Sequence, residues 1–415
     1  MKLLLIPCYT STDFEVHRNW LAITHSLPLN EWYTEATSEW TLDYPPFFAW
    51  FEYALSKVAV FFDQEMLKVD NLKHKTFNTL LFQRISVIVT DLVLAIGIKI
   101  CAEAVNTARP QKSEISKLLP LMIMTNAGLF VVDHIHFQYN GFLLGILLSS
   151  IGLMMCENYL ISAFLFAVLL NLKHIYVYCA PAYFVYLLTS YCGQSGKLIS
   201  LGAFKRLALL GSLVIAVFLL SFGPFIQQNQ FFVVLQRLFP FKRGLTHAYW
   251  APNYWAVYNA MDRVAIVLAK RLGMTSFISA ECQISQGAST SGLVKVSQTL
   301  MSVFRENSTH SVMFFHLWQD TVHCVLPQVP PIFTFVLTFI SWMPICWKLW
   351  HSRGNAVQFL RAVVLCNFCS FIFGWWALNV DFLKKILAMY LYILYLILGM
   401  FTKKPFCLLP FLWLC

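Results

Sequence analysis

The chain has 415 residues, of which 58% are hydrophobic and 12% charged, and its mean hydropathy is +0.63. These values exclude a soluble globular enzyme and a disordered chain. Apolar runs recur near the ~20 residues needed to cross a bilayer, so we predict an all-α polytopic membrane protein. The formal charge of +10 does not indicate nucleic acid as a partner, because the basic residues are scattered between the apolar runs.

About eight to nine membrane spans are expected. Several are shorter than the ~17 residues of a straight span, which leaves broken or re-entrant helices as an alternative. Cys366 and Cys369 form the only CxxC pair, and because it lies inside an apolar run we expect small hydrophobic residues there. In chain order the segments are 79–100, 118–132, 141–156, 159–172, 175–188, 207–223, 332–347, 356–376 and 384–401.

Charge asymmetry predicts the orientation of these spans. Alternating sides places three loops with Lys and Arg clusters on one face, which the positive-inside rule makes cytoplasmic: 99–117, 191–206 and 348–353. The opposite, outer or lumenal face receives residues 11–78, 133–140 and 224–331. The glycosylation acceptor Asn307-Ser-Thr also falls on that face, where it would have to be for use.

Four regions follow from this topology. We expect a helix stump with the first lumenal loop at 1–78, transmembrane helices at 79–223, a long lumenal loop at 224–331, and transmembrane helices with a divergent tail at 332–415. No separable soluble domain is predicted.

The first lumenal loop opens with Asp13-Phe-Glu15-Val-His17-Arg18, directly after a short apolar stump. Carboxylates at the depth where membrane meets water are candidates for function, so Asp13 is a candidate general base. An alternative is an interfacial helix that solvates its polar face with acidic and basic residues. Spacing alone does not decide between them.

Asp43-Tyr44-Pro45-Pro46 combines an acid with two prolines that fix the local backbone. A stiff backbone suits a carboxylate that must be held in one place, but the acid could equally cap the helix that follows. The aromatic residues of this loop suit either a membrane interface or a sugar-stacking surface. They are Trp20, Trp32, Tyr33, Trp40, Tyr44 and Trp50.

Asp133-His134-Ile-His136-Phe-Gln138-Tyr-Asn140 is a polar cluster between two apolar runs. Ionisable groups are costly at such a position, which favours a functional role. The histidines could bind a metal, but a His-x-His pair without a defined third ligand is weak evidence. Gln138 and Asn140 are more typical of residues that bind hydroxyl or phosphate groups.

Cations also interrupt or follow apolar stretches, at Lys173 and at Arg237, Lys242 and Arg243. The positive-inside rule predicts few cations on the lumenal side, so a bound phosphate would explain their presence there. The alternative is side chains that snorkel to the interface. The polar groups of all these loops converge on one face, which suits an enzyme that takes a phosphate-linked substrate from the bilayer.

Five runs closely resemble the endoplasmic reticulum dolichyl-phosphate-glucose α-1,3-glucosyltransferases of asparagine-linked glycosylation. The resemblance covers roughly residues 3–375. The runs are Asp13-Phe-Glu-Val-His-Arg-Asn-Trp20, Trp40-Thr-Leu-Asp-Tyr-Pro-Pro46, Asp133-His-Ile-His-Phe-Gln-Tyr-Asn140, Ala180-Pro-Ala-Tyr183 and Arg237-Leu-Phe-Pro-Phe-Lys-Arg-Gly244.

This resemblance implies a C-type glycosyltransferase (GT-C) fold in the endoplasmic reticulum membrane, with the active site facing the lumen. The implied donor is dolichyl-phosphate-glucose. The implied acceptor is the monoglucosylated nine-mannose oligosaccharide on dolichyl pyrophosphate, with transfer in α-1,3 linkage and inversion. Neither a metal nor a cofactor is implied.

The resemblance also implies roles for single residues. Asp13 would be the catalytic base, and Asp43 would position the acceptor together with Glu15 and Tyr44. The donor or its phosphate would be bound by Arg18, His134, His136, Gln138, Lys242 and Arg243, of which Lys242 and Arg243 are the candidates to stabilise the leaving phosphate.

Two departures from the family pattern keep alternatives open. Only a stump precedes the Asp13 motif, where the family has a complete helix. Gly374-Trp375 is followed by Trp376-Ala-Leu-Asn rather than a His-Val-His-Glu-Lys motif with its donor-phosphate histidine. We therefore expect a chain truncated at both ends. The alternatives are a non-catalytic isoform, a sibling enzyme that adds the first glucose or a mannose, and a transporter, which the one-sided polar residues disfavour.

Overall fold

The computed structural model of the protein describes residues 2–108, 120–193, 200–239, 253–274, 276, 278 and 323–374. Throughout these ranges the regular structure is helical, as predicted. The described residues fall into two compact units. The first takes in those of Met1–Leu238 and Cys346–Val364, and the second takes in those of Phe239–Ile345 and those that follow Val364.

Five helices are long and apolar enough to cross a bilayer, which supports a multi-pass membrane protein. Two more apolar helices, Asn140–Met155 and Tyr159–Leu172, are shorter. The total of eight to nine spans stays a prediction, because segment 384–401 lies outside the described residues. The five long helices are Phe77–Thr107, His174–Cys192, Leu201–Gln227, Pro331–His351 and Ala356–Phe373.

The segment 118–132, predicted as a span, is broken in its described part. The Asn126 side chain accepts the backbone N–H of Leu129 at 3.2 Å and so begins a new helical turn. The chain then continues as the π-helix Phe130–Phe137. Asparagine favours caps over helix interiors because its side chain competes for backbone hydrogen bonds, which explains the break.

The first unit begins with helices α1 (Thr12–Ser26) and α2 (Pro46–Ala59), which pack against each other. The Ser11 hydroxyl caps α1 by accepting the backbone N–H of Asp13 at 3.2 Å. Helix α2 starts at a proline, whose missing N–H has no partner there in any case. Its N-cap residue is Pro45, which makes no side-chain capping hydrogen bond.

Most of the further helices of Met1–Leu238 coincide with predicted spans. The helical stretch His174–Cys192 passes from a 3-10 turn through α6 into a π-helical turn. The helices are α3 (Phe77–Ala108), α4 (Asn140–Met155), α5 (Tyr159–Leu172), α6 (Ala180–Tyr186), α7 (Leu201–Gln227) and α8 (Phe231–Leu238).

Helices α3 and α4 approach each other closely at glycines. A Cβ atom on Gly97 would lie 2.1 Å from the carbonyl oxygen of Gly145, and one on Gly145 would lie 2.4 Å from that of Val93. Small residues allow this approach between membrane helices, where packing rather than the hydrophobic effect drives association. The contact matters for the site because α4 begins at Asn140.

The second unit contains α9 (Tyr254–Arg271) and parts of α10 (Pro331–His351) and α11 (Ala356–Phe373). The indole N–H of Trp255 donates to the carbonyl of Phe373 at 2.9 Å. The carboxylate of Asp262 accepts backbone N–H groups of a loop at 2.8–3.0 Å, which ties that loop to α9.

Gly97→Ala should destabilise the protein by about 1–3 kcal/mol, because the added methyl would overlap a backbone oxygen and force α3 and α4 apart. Gly211→Ala is the matched control, since a Cβ on Gly211 meets no atom within 4 Å. Thermal unfolding of both variants in detergent checks this. Equal melting temperatures for the two variants would show that the close helix contact does not exist.

Candidate active site

Asp13 lies in the first turn of α1, with 27% of its side chain exposed. Its Oδ2 atom lies 3.2 Å from Nε2 of His136 and accepts a hydrogen bond from the side-chain amide of Gln138. Among the described residues, none donates a hydrogen bond to Oδ1. One carboxylate oxygen is therefore held by two partners, and the other is open to a further donor.

Phe137 explains how both partners reach Asp13. Its backbone has a φ of +82°, a left-handed conformation that costs a non-glycine residue about 1–3 kcal/mol. This turn ends the π-helix and brings His136 and Gln138, on either side of it, to the same carboxylate oxygen. The buried ring of Phe137 packs edge-on against Phe14 at 5.4 Å, which holds the strained backbone in place.

Arg84 of α3 holds the end of the π-helix by hydrogen bonds to its backbone. Its guanidinium is buried and donates to the carbonyls of His134 at 2.6 Å and Ile135 at 3.0 Å. The Ser11 hydroxyl donates to the next carbonyl, that of His136. These side chains satisfy carbonyls at the end of the π-helix, where intrahelical donors run out.

Asp133 of the π-helix is buried and binds the first two residues of α4. Its Oδ1 accepts the side-chain amide of Asn140 at 2.5 Å, and its Oδ2 accepts the backbone N–H of Gly141 at 2.6 Å. Burial raises the pKa of Asp133 to about 7, although these two hydrogen bonds oppose the shift. A Cβ on Gly141 would lie 2.6 Å from Oδ1 of Asp91, so a larger residue does not fit there.

Lys173 supplies a buried positive charge to this cluster. Its Nζ atom lies 3.4 Å from Oδ1 of Asn140 and 4.8 Å from the ring centre of Tyr44. Burial lowers the pKa of Lys173 to about 8, and the charges of three acids oppose that shift, so the ammonium form predominates at neutral pH. The three acids are Asp13, Asp133 and Asp43.

The two histidines of the cluster contact different carboxylates. His134 lies 3.0 Å from Oδ2 of Asp91 in α3, to which Lys2 also binds at 2.5 Å. His136 instead contacts Asp13. No group of three His, Cys, Asp or Glu side chains is arranged as metal ligands within the described ranges. Metal independence itself stays a prediction.

One helical turn after Asp13 in α1, His17 forms a buried pair with Glu52 of α2. The Nδ1 atom of His17 lies 2.6 Å from Oε1 of Glu52, and both side chains are almost fully buried. Burial raises the pKa of Glu52, against its hydrogen bond with His17. Aromatic rings surround the imidazole at 5.0–6.5 Å, namely Trp20, Tyr44, Phe48, Phe137 and Tyr139.

The pKa of Asp13 lies below its ordinary value. Burial would raise it, but the hydrogen bond and charge of His136, the hydrogen bond of Gln138 and the charge of His17 together lower it. The carboxylate is therefore ionised at neutral pH although it lies in a crowded site.

The burial of α1 also decides between the two interpretations of its sequence. His17, Arg18 and their neighbours in α1 are buried, so the alternative that α1 is an interfacial helix with a solvated polar face is wrong.

Arg18 and Glu15 bind each other and a loop. The roles predicted for them, phosphate binding for Arg18 and acceptor positioning for Glu15, stay predictions. Arg18 is fully buried and contacts Glu15 at 2.8 and 2.9 Å. It also donates to the carbonyls of Met66 and Lys68 at 2.8 and 3.2 Å. Glu15 in turn accepts the backbone N–H of Lys73 at 2.9 Å. The structure gives this pair a scaffolding position.

The structure places Tyr44 against the buried lysine, and the half-buried Asp43 interacts electrostatically with the same cation. Arg237 donates to the carbonyl of Tyr33 at 2.9 Å and to the hydroxyl of Thr41 at 3.1 Å. It therefore secures the loop that carries Asp43. The other two cations of its motif, Lys242 and Arg243, lie outside the described residues, as does Asn307.

Sequence reasoning missed three ionisable residues that build the site: Glu52, Arg84 and Asp91. Arg84 and Asp91 lie inside the first predicted span, where an ionisable residue is itself a signal of function or of a partner nearby. Glu52 gave no such signal, because helix α2 was not predicted as a span.

This arrangement defines a multi-pass membrane protein with an ionised carboxylate at a polar site and a buried cation beside it. The model of the ALG6, ALG8 glycosyltransferase family matches residues 1–410. The chain therefore belongs to that family, and the resemblance found in its motifs is confirmed.

Three relatives carry closely similar names. The chain is 48% identical over 397 residues to the "Dolichyl pyrophosphate Glc1Man9GlcNAc2 alpha-1,3-glucosyltransferase" of Mus musculus, covering 94% of this chain and 70% of the relative. Identity to the protein of the same name from Bos taurus is 49% over 383 residues, covering 90% and 68%. A Drosophila melanogaster protein named as a probable enzyme of this kind is 50% identical over 378 residues, covering 90% and 66%.

Arg18→Met should lower stability by about 3–5 kcal/mol, because it removes the partner of a largely buried carboxylate. Lys68→Met breaks a pair with the same spacing, Glu65–Lys68, whose side chains are more than half exposed, and should cost less than about 1 kcal/mol. Melting temperatures in detergent compare the two. If Arg18→Met melts like the wild type and instead weakens donor binding, Arg18 is a phosphate ligand and not part of the scaffold.

Proposed function

We propose that this chain transfers glucose from dolichyl-phosphate-glucose, in α-1,3 linkage, to Glc1Man9GlcNAc2 on dolichyl pyrophosphate, and so adds the second glucose. The observation that carries the proposal is the Asp13 carboxylate, ionised and partly exposed, with Oδ2 held by two side chains and Oδ1 open. The acceptor is supported by the names of the relatives.

The proposed reaction is one direct displacement with inversion. The 3-hydroxyl oxygen of the acceptor glucose attacks the anomeric carbon of the donor, and its proton passes to Oδ1 of Asp13. The bond between the anomeric carbon and the phosphate oxygen breaks, and its electron pair leaves with dolichyl phosphate. Because Oδ2 is already bound, Oδ1 is the oxygen that can meet the hydroxyl without loss of an existing contact.

Charge on the leaving phosphate must be offset for this step. His136 is 38% exposed and lies beside Asp13, which suits a role on the donor side of the base. Lys242 and Arg243 are proposed to contribute further positive charge there. Asp43, near Tyr44 and the buried lysine, is proposed to position the acceptor.

The membrane context of the proposal is the endoplasmic reticulum, with the site on the lumenal side. Its support is the charge asymmetry of the loops and the helices long enough to span a bilayer. The two lipid-linked sugars and the bilayer are the proposed partners, and no metal or cofactor is required by the step above.

The test is expression of this 415-residue chain in cells that lack their own enzyme for the second glucose. The measurement is the glucose count on the dolichol-linked oligosaccharide. We expect diglucosylated or triglucosylated species with the wild-type chain, and at least a ~100-fold loss with Asp13→Asn, because the amide keeps the shape but cannot accept the proton.

Asp70→Asn is the matched control, since Asp70 is an exposed aspartate of the same loop. It should restore glucose transfer like the wild type. If the monoglucosylated species persists with the wild-type protein present in the membrane, the proposed activity is wrong. Full transfer by Asp13→Asn would instead contradict only the assignment of the base.

A further inference from the structure

Four polar side chains form a continuous hydrogen-bonded path from the buried lysine to Asp13. Lys173 Nζ lies 3.4 Å from Oδ1 of Asn140, and the Asn140 amide nitrogen donates to Oε1 of Gln138 at 3.3 Å. The Gln138 amide nitrogen then donates to Oδ2 of Asp13. The second hydrogen of the Asn140 amide is taken by Oδ1 of Asp133 at 2.5 Å.

The chemistry of the outer members fixes which way each amide points. An ammonium group can only donate, so the Asn140 atom that faces Lys173 has to be the oxygen. With that oxygen on Lys173, the Asn140 nitrogen is the atom left to donate to Oδ1 of Asp133, whose Oδ2 accepts the backbone N–H of Gly141. With Asn140 oriented in this way, its remaining N–H can pair only with the oxygen of Gln138.

We propose that Asn140 is a positioning residue that orients the amide of Gln138, so that a nitrogen and not an oxygen faces the base Asp13. Lys173 and Asp133 fix the orientation of Asn140 in turn. The reversed amide would set two oxygens against each other, which disfavours the ionised carboxylate that the reaction needs.

Burial makes this orientation persistent. Asn140, Asp133 and Lys173 have relative exposures of 1–2%, so water does not compete for their hydrogen bonds. Asn140 is also the first residue of α4, a helix held against α3 by its glycines. Gln138 is partly exposed, so water could otherwise satisfy its amide in either orientation.

The inference rests on the proposed function and is tested with a double-mutant cycle on the full chain. The variants are Asn140→Leu, Gln138→Leu and both together, assayed with dolichyl-phosphate-glucose and the monoglucosylated lipid-linked acceptor. We expect Asn140→Leu to lower kcat about 10-fold with both KM values unchanged, because Asn140 is almost fully buried and is proposed to act only through Gln138. In the Gln138→Leu background the same change should have no further effect.

Asn171→Leu is the matched control for losing a buried asparagine. Asn171 is fully buried in α5, two residues before Lys173, and its amide donates to the Ala167 carbonyl at 2.8 Å. It should keep the wild-type kcat. Should Asn140→Leu fail to fold, Asn140→Asp keeps the shape and replaces the donor by an acceptor, and it should lower kcat by more than 10-fold.

The outcomes separate the two proposals. An inactive wild-type chain contradicts the proposed function. An active wild-type chain in which Asn140→Leu and Gln138→Leu lose activity additively, or in which Asn140→Leu and Asn171→Leu lose it equally, contradicts the positioning role of Asn140. A non-additive loss confined to kcat supports that role.

Discussion

The carboxylate of Asp13 has to remain ionised in a crowded site at the edge of a membrane, and the rest of the site depends on this constraint. Burial opposes it, and two donors on one short segment, His136 and Gln138, overcome the opposition. They reach the same oxygen because the backbone between them is left-handed. Arg84 and Ser11 hold the carbonyls of that segment, so its position is set by α3 and by the cap of α1.

Charges around this centre are balanced locally. Each buried charged side chain of the site lies against an opposite one or an array of hydrogen bonds, as expected where water is scarce. His17 pairs with Glu52, and Arg18 pairs with Glu15. Asp91 contacts both Lys2 and His134. The His17–Glu52 pair joins α1 to α2, and the contacts of Asp91 join α3 to the N-terminal turn and to the π-helix that carries His134.

The sequence alone indicated the all-helical membrane class, the family and the segments that meet at the site. The length of apolar runs located helices such as Tyr159–Leu172 well, because span length and hydropathy leave a strong signal. It did not locate the break at Asn126 or the left-handed turn at Phe137, since both depend on tertiary contacts. Arg18 was placed at the phosphate from its motif, whereas its contacts with the carbonyls of a distant loop could be known only from the folded chain.

The most direct test of this account is the pH dependence of glucose transfer by the purified chain and by His136→Gln. Glutamine keeps an N–H donor for Asp13 but removes the imidazole charge, so the pKa of Asp13 should rise towards its ordinary value. Because the base acts only when deprotonated, the rate should then fall at a higher pH on the acid side than in the wild type. The same acid limb in both proteins would contradict the claim that His136 keeps Asp13 ionised.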